Sequence, residues 1–140
     1  MSQEWMFEFA TIRRLSANIF EMTPLAGVQI DRKVIDAMHC FYDEHGQPFS
    51  GLLVSMQNSY SYTFEALNEM SRHPHLSHIA RLAVDESKRT FADYVSELER
   101  DLGFQSKSFS HRADALAWLE NSLGFARTQA QVSTMCHPSI

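Results

Sequence analysis

Along residues 6–12, large apolar side chains alternate with polar or small ones, and residues 18–22 repeat the alternation after the polar stretch 13–17. A period of two belongs to a strand with one buried face, so the two runs predict an antiparallel hairpin. Pro24 and Gly27 interrupt the pattern. Asp31 then stands as an N-cap, and Val34, Ile35, Met38, Phe41 and Tyr42 fall on one face of a helix that Gly46 and Pro48 end. The apolar run of residues 51–56 has the composition of a central strand buried on both faces.

Residues 57–62 are polar and aromatic without charge, and Phe64, Leu67 and Met70 mark a short helix leading to His73, Pro74 and His75. From Ile79 the punctuation is clearest. Residues 79–84 form a short apolar strand, Asp85, Glu86 and Ser87 a loop and helix start, and Phe91, Val95, Leu98 and Leu102 recur at helical spacing before Gly103. Residues 107–109 give another strand, and Ala113, Leu116, Leu119 and Leu123 the last helix. Strands alternating with helices pair in parallel through right-handed crossovers. The expectation is an α/β fold: a mixed sheet of about five strands, an N-terminal antiparallel hairpin plus three parallel strands, with four helices. Residues 1–124 make one domain, and residues 125–140, nearly uncharged and aperiodic, a C-terminal tail that is flexible or docked on a partner.

Composition narrows the function. With 140 residues, 44% of them hydrophobic, the chain is long enough for one domain with its own core. A net charge of −5 and twelve scattered basic residues argue against a nucleic-acid partner, which needs clustered Lys and Arg. Cys40 and Cys136 lack metal-type spacing, and Cys40, beside Met38 and Phe41, is expected to be a buried free thiol. The acidic N-terminus holds no apolar run for a secretory signal, and no window approaches the ~20 apolar residues of a membrane span. A cytoplasmic location without integral membrane association follows as the expectation.

The order of elements, with Phe109 followed by Asp114, Ala115, Leu116, Trp118 and Leu119, resembles the bacterial SpoIIAA-like domains related to STAS regulators and to CRAL-TRIO lipid carriers. The resemblance spans residues 6–123, with His111 and Arg112 where those domains more often carry acids. It implies a SpoIIAA-like fold and a non-enzymatic regulatory or protein-interaction module. In STAS regulators a serine is phosphorylated where the helix after the central strand begins. The corresponding turn here is Asn58, Ser59, Tyr60, Ser61, Tyr62 and Thr63, without the Asp and Gly of that motif. Ser61 and Thr63 are thus the possible phosphorylation sites, against the simpler role of capping the helix. The lipid carriers imply an alternative, a small apolar-ligand or lipid-binding protein, with Phe and Met to line a pocket and little spare volume to hold one.

The remaining chemistry is sparse. His73, His75 and His78 are the one concentration of metal-ligand types, on a helix-to-strand connection. Asp85 and Glu86 sit where parallel sheets place ligands, yet also suit a helix start. There is no nucleophile elbow and no glycine-rich phosphate loop, so no catalytic residue, metal ligand or cofactor is assigned. Binding is placed on Gln57, Asn58, Ser59, Tyr60, Ser61, Tyr62 and Thr63, at the end of the central strand. An interaction module with a protein partner or as a homodimer ranks first, the small apolar-ligand binder second, and a metal-dependent enzyme using the histidines last.

Overall fold

The computed structural model describes residues 3–69 and 73–135. The chain runs β1 (Glu4–Met6), β2 (Ala10–Ser16), β3 (Ile19–Pro24), β4 (Gln29–Ile30), α1 (Arg32–His45), β5 (Ser50–Ser55), β6 (Ser61–Tyr62), α2 (Phe64–Glu69), β7 (Leu76–Leu82), α3 (Glu86–Asp101), β8 (Gln105–Phe109) and α4 (Arg112–Met135). Six strands form one sheet in the order β1-β2-β3-β5-β7-β8, and β4 pairs with β6 in a separate two-stranded sheet. The pairs β1-β2 and β2-β3 are antiparallel, and β3-β5, β5-β7 and β7-β8 are parallel. The mixed α/β class is as expected. The short β1 raises the main sheet from five strands to six.

Local chemistry starts the helices where the sequence places them. The Asp31 carboxylate accepts from the Val34 amide at 3.1 Å, and the Asp85 carboxylate from the Lys88 amide at 2.9 Å. The α1 residues buried against the sheet are Val34, Ile35, Met38, Phe41 and Tyr42, all five on the expected face. Cys40 is exposed, not buried. It lies two residues past Met38, about 200° round the helix and away from that face. Cys136 is outside the described residues.

The first strand differs from its expected span. The chain turns after Met6, with the Phe7 amide bonded to the Ala10 carbonyl at 2.8 Å, and residues 13–16, expected as the turn, lie in β2. Both arginines of that stretch find strand-compatible partners: Arg13 bonds Glu21, its cross-strand neighbour, and the Arg14 guanidinium lies 4.7 Å from the centre of the Phe20 ring. Two further expected apolar anchors face solvent, Met6 at 84% and Phe64 at 82% exposure. At the other end, α4 continues past Leu123 to Met135, so residues 125–135 are helical; residues 136–140 lie outside the described set.

The two sheet faces bury separate cores. Phe20, Met22, Leu52, Val54 and Ile79 pack with α1 and with Ala92 and Val95 of α3, whereas Ile19, Leu53 and Ala80 pack with Ala115, Leu119 and Leu123 of α4. Gly51 permits the second contact, since a Cβ there would stand 2.8 Å from Leu123 Cδ1 and 3.0 Å from Leu119 Cδ2. Among the described residues no helix is long and apolar enough to cross a membrane.

Candidate functional site

The turn after β5 is tied to the segment before α1. The Gly27 amide bonds the Ser59 carbonyl at 2.8 Å, Ser61 bonds Val28 at 3.1 Å, and Thr63 bonds Ile30 at 2.9 Å. Asn58 Nδ2 donates to the Pro24 carbonyl at 3.1 Å, and Lys88 Nζ to the Gln57 carbonyl at 2.9 Å. Every one of these bonds except that from Asn58 leaves the turn side chains unused. Gln57, Ser59 and Ser61 are exposed. Thr63 Oγ1 accepts from the Ala66 amide at 3.0 Å, so Thr63 caps α2, and Ser61 is paired in β6 with Gln29.

Tyr60 and Tyr62 face inward, packing against the larger core and against Phe91, with ring centroids 5.6 to 5.9 Å apart. Tyr62 Oη accepts from Arg81 Nη2 at 3.1 Å. Outside this aromatic group, Asn58, Ser59 and Tyr60 face Ser87, Lys88 and Phe91 of α3 across a shallow recess of about 180 Å³.

Beneath the turn lies a pair that the sequence reading did not single out. Arg81, next to the C-terminal end of β7, and Glu99 of α3 are 2% and 0% exposed, and they form a two-pronged ion pair, Nη1 with Oε1 and Nη2 with Oε2 at 3.1 Å. Ser106 Oγ donates to the same carboxylate at 2.7 Å. Burial is the largest single influence and works against the guanidinium charge, but the field of Glu99, that of Tyr62 and the hydrogen bonds to Glu99 together outweigh it and raise the Arg81 pKa well above its ordinary value. A charged residue inside the apolar strand 79–84, and an acid in the helical stripe of Val95 and Leu102, were the available signals.

Arg81 and Glu99 also line a cavity of about 50 Å³ between α1 and strands β3, β5 and β7. Its walls include Met22, Ile30, Val34, Met38, Leu52 and Ile79, with Tyr42 and Tyr62 beside the ion pair. Burial above all, then the field of Glu99, pushes the Tyr42 hydroxyl well above its ordinary pKa. A cavity of this size is about a third of one that holds benzene, so a lipid chain does not fit it.

On the opposite face Glu21 accepts from Arg13 Nη2 at 2.6 Å and from both Nη atoms of Arg112. Burial raises the Glu21 pKa, but the bonds from Arg112 and Arg13 together outweigh it, and the net shift is downward from 4.5. Arg112 stands where the resembled domains more often carry acids; here that position serves an ion pair with β3.

The histidines are divided. His73 Nε2 meets Asp43 Oδ1 of α1 at 2.6 Å while its Nδ1 accepts from the His75 amide at 3.1 Å. His78, by contrast, lies in β7 against Trp118 of α4, ring centroids 5.6 Å apart. Neighbouring strand residues alternate faces, and the even-numbered His78 shares that of Ala80, under α4. Among the described residues no group of three His, Cys, Asp or Glu side chains is placed to hold a metal ion. Asp85 caps α3 and Glu86 lies in its first turn; the Lys88 amide and Ser87 hydroxyl lower the Asp85 pKa from 3.8.

No family model matches the chain. No curated protein matches it. A solved structure from Shewanella loihica PV-4, described as an uncharacterized protein of the DUF3478 family with a SpoIIAA-like fold, is similar to it at 10% sequence identity. The match covers 85% of this chain and 92% of that one, with a TM-score of 0.47.

Proposed function

We propose that this chain is a non-enzymatic regulatory interaction module, acting in the cytoplasm as a homodimer or with a protein partner through the turn of residues 57–63. The observation that carries this reading is the way the turn is held: three backbone bonds to residues 27–30 fix it, while Gln57, Ser59 and Ser61 remain exposed. A surface ordered before it binds loses less conformational freedom on docking. Ser61 is the hydroxyl open to phosphorylation, Thr63 being engaged as a cap.

The test replaces Gln57 and Ser59 by lysine, which changes the displayed surface without touching the backbone bonds. Partner retention in affinity capture, read by quantitative mass spectrometry, and self-association, read by sedimentation velocity, are compared with the parent at equal circular dichroism. One of the two associations is expected to fall. Both unchanged would remove the turn as the docking surface.

A further inference from the structure

On the sheet face that carries the last helix, α4 lies over β5, β7 and β8, and beside its first turn a polar recess of about 390 Å³ opens over β2 and β3. Strand alternation builds it. Glu21 and Thr23 share the face of Ile19, Ser55 shares that of Leu53, and the β2-β3 register sets Thr11 beside Thr23 and Arg13 beside Glu21. Ser55 extends the first of these rows onto β5, where Val54 pairs with Met22 one residue earlier. A row of hydroxyls from Thr11, Thr23 and Ser55 therefore runs alongside the guanidiniums of Arg13 and Arg112, and among the described residues none of these hydroxyls has a hydrogen-bond partner.

We propose that this recess binds the phosphate monoester of a small hydroxylated molecule, its phosphate oxygens accepting from Arg13, Thr11 and Thr23. Charge and donor spacing select that group. Glu21 is buried and shared by Arg13 and Arg112, both partly exposed, so the three side chains together keep one positive charge in excess. Arg13 spends only Nη2 on Glu21, which leaves Nε and Nη1 to donate to an oxyanion. Three donor side chains exceed the two oxygens of a carboxylate, whereas a phosphate monoester offers a third terminal oxygen. Neighbouring strands lie about 4.8 Å apart, so a phosphate seated at Thr11 and Thr23 leaves Ser55 and Gln57 to hold the hydroxylated part of the ester. The volume of the recess falls in the range of small-ligand pockets and exceeds what a bare phosphate fills. Glu4, opposite Arg13 in the β1-β2 register, stands at the rim with no ion pair to it among the described residues, and opposes the anion from there. The site goes beyond the docking turn, which reaches it only through Gln57.

Amide-resolved NMR titrations of the full chain at constant ionic strength test this with glycerol 3-phosphate, inorganic phosphate, glycerol and acetate. Glycerol 3-phosphate is expected to shift the amides of Thr11, Thr23 and Ser55 saturably and to bind more tightly than the other three. Arg13→Gln, which leaves Glu21 paired with Arg112, is expected to weaken its binding about tenfold, the loss of a charge-assisted donor. Glu4→Gln, at the exposed rim, is expected to tighten it about twofold by removing a like charge. Acetate binding as tightly as the ester would overturn the choice of phosphate, and glycerol doing so would overturn the anionic site. Inorganic phosphate as tight as the ester would overturn the part given to Ser55 and Gln57. Should Arg13→Gln fail to fold, Glu4→Gln decides alone: an affinity unchanged or lowered would overturn the charge argument. No saturable shift of these amides with either phosphate probe would overturn the site altogether.

Discussion

Arg81 and Glu99 are the residues on which the larger core is most exposed to single changes. Taking one partner away leaves a buried charge uncompensated, a loss of about 3–5 kcal/mol, whereas replacing both by apolar residues of similar volume removes the charges together. Arg81→Met and Glu99→Leu are therefore each expected to destabilise strongly in urea unfolding, and the double variant to recover most of the loss. A double variant as unstable as the summed singles would show that the two charges are not coupled. Neither residue was legible as a pair from the sequence, because they meet only through the packing of α3 on β7, and that packing depends on the whole sheet. Asp31 and Asp85 were legible, since a cap needs only the amide three residues ahead. Gln57, Ser59 and Ser61 are exposed beyond the end of β5, where polar residues are expected, but the inward orientation of Tyr60 and Tyr62 follows from Phe91 and Arg81, both distant in sequence.

Among the elements, α4 and β5 show how closely two pieces are fitted. Gly51→Ala would press a methyl group onto Leu119 and Leu123, and both leucines are fully packed, so the change is expected to lower stability by about 1–3 kcal/mol through overpacking. Denaturant midpoints measure it; a neutral result would mean that α4 can move outward without loss. The helices after Asp31 and the parallel strands of the main sheet were readable because apolar runs and caps punctuate them, whereas the two-residue β6 lies in a polar and aromatic stretch that carries no strand signal. The start of β2 was not, because the aromatic run of residues 7–9 imitates strand alternation while the chain there is turning, and the two arginines hide a strand behind charge.

For the molecule as a whole, acid is expected to act in two stages with the same sign. Burial lowers the His78 pKa from 6.5, so below about pH 6.5 the unfolded chain takes up a proton that the folded chain refuses, and stability falls with pH until the folded value is passed. Glu21, lowered from 4.5, adds stability that is present above that value and lost as pH falls through its folded pKa. His78→Gln should remove the first stage: unfolding free energies at about pH 7 and pH 5.5 should differ less than in the parent. An equal difference would assign the first stage to another group. The same single sheet that joins both cores also ends at β1 and β8. β8 is five residues long with Lys107 at its centre, its ammonium 5.4 Å from the Phe109 ring. If two copies joined edge to edge, antiparallel and in full register about that centre, Lys107 would fall opposite Lys107, setting like charges against each other. The β8 border of the sheet thus carries its own deterrent against that centred pairing of copies.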